Sequence, residues 1–301
     1  MSIWVCGEVL VDLLPSGAVI GGGPANTAKA LARLGQTVEF IGGISTDSFG
    51  EMATKELVED GVGLRHALRS GEPTCTAEVT LASTGTASYR FNTDGTATFD
   101  FGSWLPDPYK FKPEILHIGT LATVILPGAD FLFQWALGVS ELAPIVFDPN
   151  IRPSVLPNHK KYLESVEKWV GISSVVKLSD EDLVWLYPNV DPLQAAQKWI
   201  NEGVALVVIT KGEGGIVGAR REEAIAVESF NVKVVDTVGA GDTVGAVLVE
   251  AIVEWGLTNL CGEVLRGILS RAALAASITC SRAGANPPTK KELTRALEVR
   301  V

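Results

Sequence analysis

The stretch from Val234 to Ala246 combines an acidic side chain with the small residues that an anion site needs. Two valines lead into Asp236, and Gly239-Ala240-Gly241 then stands directly before Asp242 and a long apolar run. Small residues at a helix start let a ligand approach free backbone N–H groups, which the helix dipole makes attractive to anions. A carboxylate beside such a site could accept a proton from an attacking hydroxyl group. The alternative is that Asp242 only caps a helix, which would leave the glycines unexplained.

A second glycine-rich stretch, Gly21-Gly22-Gly23-Pro24-Ala25-Asn26, precedes a predicted helix. Its glycines permit positive φ angles and a close approach of the backbone to a ligand. The Asn26 side chain offers both donors and an acceptor to a polyol. A tight strand-to-helix turn without a ligand is the alternative. The chain contains neither GxGxxG nor GxxxxGK[ST], so dinucleotide-binding and P-loop folds are disfavoured.

Both stretches lie in a chain that alternates between short apolar strands and helical segments. Strands are predicted at residues 3–6, 37–41, 115–118, 144–147, 174–177 and 206–209. Helices are predicted at 24–34, 48–60, 130–142, 160–170, 180–187, 192–201, 241–253, 261–280 and 289–297. This alternation predicts an α/β fold in which helices cover both faces of a mostly parallel sheet.

Residues 72–101 break the alternation. Two alternating segments, 77–81 and 87–91, flank a turn at 83–85 and predict an antiparallel hairpin. We expect residues 12–20 to add an edge to it, giving a small β lid inserted in a single domain of residues 1–301. Its aromatic residues are expected to form a half-buried face more readily than a sugar-stacking surface: Tyr89, Phe91, Phe99 and Phe101. An apolar lid face left bare would favour a homodimer through the lid.

Charge and composition exclude several classes of protein. The 301 residues carry 25 Lys and Arg against 35 Asp and Glu, so the formal net charge of −10 disfavours a nucleic-acid or anionic-membrane surface. We find no bilayer-spanning apolar run and no secretory signal at the first residues. The cysteines form no CxxC pair and the histidines show no metal-ligand spacing, which favours reduced thiols in the cytoplasm.

Taken in this order, the two glycine-rich stretches resemble the two signatures of the ribokinase-like sugar kinases, the PfkB carbohydrate kinases. Supporting motifs follow along essentially the whole chain: Gly7-Glu8, Asp12, Asp148-Pro149-Asn150-Ile151-Arg152, Lys177-Leu178-Ser179-Asp180-Glu181 and Thr210 to Gly215. The resemblance implies a ribokinase-like three-layer sandwich and ATP-dependent phosphorylation of a sugar hydroxyl, an alcohol-accepting phosphotransferase. The 148–152 motif and Tyr89 are most similar to bacterial fructokinases, which makes fructose the first substrate expected. A 2-keto-3-deoxygluconate kinase, for which Arg90 or Arg152 would bind the carboxylate, and a non-catalytic sugar- or nucleotide-binding regulator are the alternatives.

The resemblance also implies roles for single residues. Asp242 would be the catalytic base, and the amides of Gly239, Ala240 and Gly241 would stabilise the transferring phosphoryl group. The sugar would be bound by Asp12, Gly22, Gly23, Asn26, Tyr89, Asn150 and Arg152. ATP would be contacted by Lys177, Thr210, Gly212 and Gly215.

Two ion sites follow from the same resemblance. Family members hold Mg²⁺ through an Asn-x-x-Glu or Ser-x-x-Glu element, which here reads Ser179 to Asp182 with Glu181 adjacent. The shorter Asp182 would favour a water-mediated contact, and a capped helix start is the alternative. Asp236, Val238 and Gly284 resemble the monovalent-cation site of many members, which would take K⁺. Asp236 could equally brace the turn.

Overall fold

The computed structural model describes residues 2–81 and 87–299, leaving aside the side chains of 79–81 and 87–89. Its strands are β1 (Ile3–Cys6), β2 (Leu10–Leu14), β3 (Gly17–Gly21), β4 (Val38–Ile41), β5 (Gly43–Ser45), β6 (Leu68–Ser70), β7 (Thr76–Leu81), β8 (Ala87–Asn92), β9 (Ile115–Gly119), β10 (Ile145–Asp148), β11 (Val175–Ser179), β12 (Leu206–Thr210), β13 (Ile216–Ala219) and β14 (Ala224–Val227). Its helices are α1 (Gly23–Arg33), α2 (Ser48–Glu59), α3 (Pro108–Phe111), α4 (Gly128–Ser140), α5 (His159–Val170), α6 (Asp180–Leu186), α7 (Pro192–Asn201), α8 (Ala240–Trp255), α9 (Gly262–Cys280) and α10 (Lys290–Glu298).

The main sheet has the strand order β14-β13-β12-β11-β10-β9-β1-β4. Every neighbouring pair from β12 to β4 is parallel, and only the pairs β12–β13 and β13–β14 at one edge are antiparallel. The predicted α/β class with a mostly parallel sheet is therefore confirmed. The sequence pattern does not predict β13 and β14, which are four-residue strands interrupted by glycine or alanine and add a hairpin to the edge.

Helices cover both faces of this sheet. Along β1, Ile3 and Val5 belong to one hydrophobic core, whereas Trp4 and Cys6 belong to the other. The first core contains side chains of α1, α2, α8 and α9, and the second contains those of α4 to α7. Because both faces of each parallel strand are buried, the strands are mostly apolar rather than alternating, and their few charged side chains, such as Glu39 and Lys177, are buried with a partner of opposite charge. The result is the expected three-layer sandwich.

A second, four-stranded sheet of order β3-β2-β7-β8 forms the lid. Residues 12–20 do more than extend its edge, because they belong to an antiparallel pair whose first strand, β2, lies inside the lid beside β7. The lid is also shorter than the expected 72–101. After β8 the chain returns to the body, where Phe99 and Phe101 are buried in the main core instead of forming a lid face.

The carboxyl ends of three neighbouring strands lie level with one another. Cys6 pairs with Ile118, and Asp148 pairs with Gly119. The residues that follow β1, β9 and β10 therefore emerge at one edge of the sheet, where ligands bind in open parallel α/β folds. Among the helices of the described residues, none has the length and apolar character needed to cross a membrane.

Candidate active site

A cavity of about 400 Å³ lies between the lid and the carboxyl edge of the main sheet. Its walls come from the lid, from the loop and start of α1, from the residues after β1, β9 and β10, from β11, and from the loop and first turn of α8. The lining residues are Glu8, Leu10, Asp12, Gly22, Gly23, Asn26, Phe91, Thr120, Leu121, Asn150, Arg152, Lys177, Thr237, Val238, Gly239, Gly241 and Asp242. The fold thus unites the two glycine-rich stretches that are more than 200 residues apart in the chain.

The glycines before α1 allow the chain to lie close against the other walls of the cavity. Gly22 has a φ of +106°, and a β-carbon there would lie 2.6 Å from the Glu8 carbonyl oxygen. A β-carbon at Gly23 would lie 2.8 Å from Thr120 Cγ2 and 3.2 Å from Asp242 Oδ1. Any larger residue at either position would push α1 away from Asp242 or enter the cavity itself.

Asp242 is buried in the first turn of α8, with 7% of its surface exposed. Asn26 Nδ2 donates a hydrogen bond of 2.8 Å to Asp242 Oδ2 and fixes the carboxylate in the cavity. Asn26 Oδ1 is buried and has no partner among the described residues, so it can accept a hydrogen bond from a bound hydroxyl. Burial raises the pKa of Asp242 to about 6, with the Lys177 ammonium opposing the rise. The group is therefore ionised at neutral pH and able to accept a proton.

The backbone amides beside Asp242 form an open anion site. Gly239 caps α8 in the left-handed conformation, with a φ of +78°, and a β-carbon there would lie 2.7 Å from Ala285 Cβ. The amide of Ala240 donates to Thr237 O at 3.3 Å. Within the described part of the chain, the amides of Gly241 and Asp242 have no hydrogen-bond partner. These free N–H groups and the positive end of the α8 dipole suit a phosphoryl group.

Lys177 adds a positive charge to the same place. It is 4% exposed, and its Nζ donates to Asp148 Oδ2 at 2.8 Å. A β-carbon at Gly241 would lie 2.8 Å from Lys177 Nζ, so the ammonium rests against the start of α8. Burial acts to lower the pKa of Lys177, but the carboxylates of Asp148 and Asp242 outweigh it and raise that pKa above its ordinary value. Lys177 thus stays charged inside the cavity, beside the amides that face a phosphoryl group.

The predicted sugar-binding residues Asp12, Asn150 and Arg152 also meet in the cavity. Burial raises the pKa of Asp12 to about 6, and the nearby Arg152 guanidinium opposes this. Arg152 Nη1 donates to the carbonyl oxygens of Asn150 and Ile151 at 3.3 and 3.0 Å, which holds the guanidinium in place. The side chain of Tyr89 lies outside the described residues, so its sugar contact stays a prediction.

The predicted nucleotide-binding residues lie in two places: Lys177 lines the cavity, and the other three lie at the turn after β12. Thr210 ends β12, and Gly212 and Gly215 follow in the turn to β13 with φ angles of +51° and +83°. The described lining of the cavity includes none of these three residues, whereas it includes Lys177. Thr210 pairs in register with Ser179 on the adjacent β11, so the turn lies farther along the same edge of the sheet.

The predicted magnesium residues start helix α6. Ser179 Oγ accepts from Asp182 N at 3.0 Å, and Asp182 Oδ2 accepts from Ser179 N at 3.0 Å, which is a capping box. Asp182 Oδ1 accepts from Ile151 N at 2.9 Å, so both carboxylate oxygens already hold backbone amides. Burial raises the pKa of Asp182. Glu181 is exposed.

A divalent ion here would need ligands from the nucleotide. No group of three or more His, Cys, Asp or Glu side chains in the described residues is placed to hold a metal. Asp148 Oδ1, however, is buried without a partner in that part of the chain, and its charge acts on Asp182. This orphaned oxygen fits a cation that is carried by phosphates and reached through water.

Asp236 ties together the loops that precede α8 and follow α9. Its Oδ1 accepts from Val238 N at 3.1 Å, and its Oδ2 accepts from Gly284 N at 2.9 Å. The bracing role is thus present in the structure. A monovalent cation would have to use remaining lone pairs of Asp236 and carbonyl oxygens of these loops, so the K⁺ site stays a prediction.

Two polar residues of the cavity wall, Glu8 and Thr120, carry no predicted site role. Glu8 Oε1 accepts from Thr120 Oγ1, and Glu8 Oε2 accepts from Ala122 N at 3.1 Å. Each residue follows the end of a parallel strand, β1 for Glu8 and β9 for Thr120, within two positions. That position in the sequence is the signal that could have identified them.

Known proteins share both this fold and these motifs. The chain matches the pfkB family carbohydrate kinase over residues 17–292. It is 35% identical over 259 residues to a fructokinase of Rhizobium leguminosarum bv. trifolii, covering 81% of this chain and 77% of that protein. The fructokinase from Xylella fastidiosa with bound ATP superposes with a TM-score of 0.91 at 26% identity over 99% of this chain and 98% of the other. The fructokinase from Vibrio cholerae O395 with fructose, ADP and calcium ion bound gives 0.86 at 27% identity over 98% of both chains. The protein is a member of the pfkB family of carbohydrate kinases.

Proposed function

We propose that this protein is a fructokinase, which transfers the γ-phosphoryl group of ATP to a hydroxyl group of fructose. The observation that carries the proposal is the position of Asp242, whose carboxylate lies in the cavity under the lid, directly beside the free amides of α8. One end of the cavity is suited to a sugar and the other to a phosphoryl group. The relatives named above as fructokinases support fructose as the acceptor.

Proton removal from the sugar is assigned to Asp242. The Asn26 amide holds one carboxylate oxygen, which leaves the other directed toward the loop at Gly23. A hydroxyl group bound there can donate its proton to Asp242 as its oxygen attacks phosphorus. With a pKa of about 6, Asp242 is basic enough to hold the proton and still ionised at neutral pH.

The developing negative charge on the phosphoryl oxygens is met by the start of α8. The amides of Gly241 and Asp242 are fixed in place before the reaction, so little reorganisation is needed. Lys177 supplies a full positive charge at the same point, held by Asp148. Because phosphoryl transfer depends mainly on positioning and on charge stabilisation, these groups supply what the protein must contribute.

The sugar is assigned to the lid side of the cavity. Asp12 and Asn26 offer acceptors to hydroxyl groups, while Asn150 and Arg152 offer donors. Tyr89, on β8 of the lid, is assigned to the same end from the sequence. Leu10, Leu121 and Phe91 give the pocket apolar surfaces against which the ring carbons can rest.

ATP is assigned to the open edge beyond Lys177, along the turn that contains Thr210, Gly212 and Gly215. The glycines permit a close approach of the nucleotide to the backbone there. Mg²⁺ bound to the phosphates would neutralise part of their charge, and Asp148 and Asp182 would contact it through water. K⁺ near Asp236 would fix the loop that precedes α8.

A homodimer through the lid and a cytoplasmic location complete the proposal. In the described part of the chain, β3 and β8 are the edge strands of the lid sheet, and an edge strand can pair with that of a second copy. All four cysteines lie in the described part of the chain and are free thiols, which fits a reducing compartment.

The test is ADP release coupled to a reporter enzyme, measured with a panel of sugars under saturating MgATP. We expect fructose to give the highest kcat/KM. Preference for 2-keto-3-deoxygluconate, lost on Arg152→Ala, would replace fructose by a sugar acid. A folded protein that binds ATP and turns over no sugar would instead be a binding protein, and the kinase proposal would fail.

A further inference from the structure

Thr120 has a backbone conformation that its side chain does not favour. Its φ is +57°, in the left-handed region, where a β-branched residue is a genuine outlier. The residue directly follows β9, and both Thr120 and its neighbour Leu121 line the cavity. Strained residues of this kind persist only where surrounding contacts enforce the conformation, and they concentrate at functional sites.

Glu8 supplies those contacts from the loop that follows the neighbouring strand, β1. The residue is 2% exposed, and its two carboxyl oxygens bind Thr120 Oγ1 and the amide of Ala122. It therefore holds the turn at both ends, from Thr120 to Ala122. The carbonyl oxygen of Glu8 also lies against Gly22, because a β-carbon there would come within 2.6 Å of it. One residue thus contacts both the turn after β9 and the glycine loop before α1.

The turn that Glu8 holds reaches the reacting atoms. Thr120 Cγ2 and Asp242 Oδ1 would lie 2.8 and 3.2 Å from the same β-carbon at Gly23, and Asn150 Nδ2 would lie 3.3 Å from it. We propose that Glu8 is a positioning residue for phosphoryl transfer: by fixing Thr120 in the left-handed conformation, it sets the wall that orients the acceptor hydroxyl toward Asp242. It acts through Thr120 and rests on the kinase activity proposed above.

A neutral Glu8 suits this role. Burial raises the pKa of Glu8 to about 8, and the negative charge of Asp242 adds to the rise. Asp12 of β2 is a further acidic group in the same cavity, and the charge of Glu8 acts on the thiols of Cys6 and Cys75. A protonated Glu8 would donate its O–H to Thr120 Oγ1 and still accept from the amide of Ala122, so it can hold the turn without adding another negative charge to a site that must receive ATP.

The experiment compares Glu8→Ala and Glu8→Gln in steady-state kinetics, with sugar and MgATP varied separately and with the best substrate of the wild-type panel. For Glu8→Ala we expect kcat/KM for the sugar to fall by about 10–100-fold, because small displacements of an acceptor have effects of this size. The KM for ATP should change by less than about twofold, since the nucleotide turn is elsewhere. Glu8→Gln should retain most activity, because its amide can accept from Ala122 N and donate to Thr120 Oγ1.

Thr120→Gly tests the mechanism. Glycine adopts a positive φ without strain, so Glu8→Ala should cost less than about threefold when it is added to Thr120→Gly. Glu39→Ala is the matched control. Glu39 is also buried and accepts a hydrogen bond from Arg65, but it lies on β4 away from the cavity. This variant should therefore have a lower Tm and unchanged sugar kinetics.

If Glu8→Ala does not fold, Thr120→Val takes its place, because it removes the hydroxyl group and keeps the shape of the side chain. We expect it to lower kcat/KM for the sugar about tenfold. Wild-type sugar kinetics in Glu8→Ala or, in its place, in Thr120→Val would overturn the role of Glu8. An equal loss for Glu8→Ala in the wild-type and Thr120→Gly backgrounds would also overturn it. Failure of the wild-type protein to turn over any sugar would instead overturn the proposed function.

Discussion

Asp242 and Asn26 show how two side chains from distant parts of the chain form one chemical unit. The hydrogen bond from Asn26 Nδ2 to Asp242 Oδ2 orients the carboxylate, and Gly23 leaves room beside the other oxygen. Burial without these partners would raise the pKa of Asp242 further and favour its protonated form. Lys177, Asn26 and Arg152 therefore keep the buried Asp242 carboxylate ionised at neutral pH, as its proposed role of base requires.

Replacing Asp242 by Asn should remove the proposed base and keep the shape of the cavity. We expect kcat to fall by about 10²–10⁴-fold, the usual contribution of a positioned general base. The Asn26 contact can remain, because the new side chain still offers an oxygen, so the affinity for a non-hydrolysable ATP analogue should change little. Turnover by coupled assay and calorimetric titration of the analogue measure the two effects.

Glu250→Gln is the matched control for that substitution. Glu250 is buried on the same helix, about two turns farther along, and binds Arg271. This variant should retain its turnover even where its Tm is lower. Near wild-type turnover in Asp242→Asn would remove Asp242 from the role of base.

At some positions the sequence leaves two readings open because one pattern serves two purposes. Ser179 to Asp182 matches both a metal-binding element and a capping box, and the structure shows the cap. Asp236 matches both a cation ligand and a brace, and the structure shows the brace. Residue types and spacing alone cannot separate these readings, since the partners are backbone amides that every residue provides.

The elements that position the site are α1 and α8, which begin with glycine-rich turns and meet at the cavity. The two helices approach closely because glycine has no side chain. Gly23 of α1 leaves space for Asp242, and Gly245 of α8 leaves space for His117 of β9. Helix starts such as these are well marked in sequence by glycine and proline, so 24–34 and 241–253 were predicted close to their observed bounds.

Strands of the lid and of the sheet edge were harder to predict. The hairpin β13–β14 is short and contains small residues, so it has no strong alternation. The sequence also could not show that Phe99 and Phe101 pack in the body, because an aromatic residue in an alternating stretch is consistent with either face. Tertiary packing decides such cases.

Gly23→Ala tests the close contact between α1 and the cavity. The added methyl group would meet Thr120 Cγ2 at 2.8 Å and Asp242 Oδ1 at 3.2 Å, in the space assigned to the acceptor hydroxyl. We expect KM for the sugar to rise by about tenfold or more, or kcat to fall equally, while ATP binding is retained.

Gly267→Ala is the control for Gly23→Ala, because Gly267 lies in α9 with nothing within 4 Å of a β-carbon. It should stabilise the protein by about 0.5–1 kcal/mol through helix propensity and leave the kinetics unchanged. Sugar kinetics and thermal unfolding of both variants distinguish a filled pocket from a disturbed fold. Unchanged sugar kinetics in Gly23→Ala would place the acceptor elsewhere.

At the scale of the whole molecule, the cavity lowers the stability of the fold, because it buries three acidic side chains close together. Glu8, Asp12 and Asp242 are brought together from three elements, and the pKa of each is raised chiefly by burial. No short sequence window contains this cluster, because Asp242 at the start of α8 is more than 200 residues from Glu8 and Asp12, and only the folded chain brings the three to one cavity. Asp12 and Asp242 lie in or near motifs that predict a site role, whereas the contacts of Glu8 with Thr120 and Ala122 form only in the folded chain.

The loss of stability caused by burying these carboxyl groups should appear as a dependence of the free energy of unfolding on pH. The pKa of Glu8 rises from 4.5 to about 8, and those of Asp12 and Asp242 rise from 3.8 to about 6. At these three positions the folded state holds protons that the unfolded state releases, so their contribution to the free energy of unfolding is largest below about pH 4 and falls as the pH rises through 6 and then 8. Glu8 alone should account for a loss of about 2–3 kcal/mol between pH 6 and 9, or roughly 5 °C in Tm.

Differential scanning calorimetry of wild type, Glu8→Gln and Glu39→Gln at intervals from pH 5 to 9 isolates this contribution. Glu8→Gln has no proton to lose, so its Tm should fall less than that of wild type above pH 6, whereas Glu39→Gln should follow wild type. Parallel curves for wild type and Glu8→Gln would mean that Glu8 is already ionised in the folded protein. The cavity would then hold Glu8 as a charged carboxylate that accepts from Thr120 and Ala122, and the acidic cluster would depend on Lys177 and Arg152 for its balance.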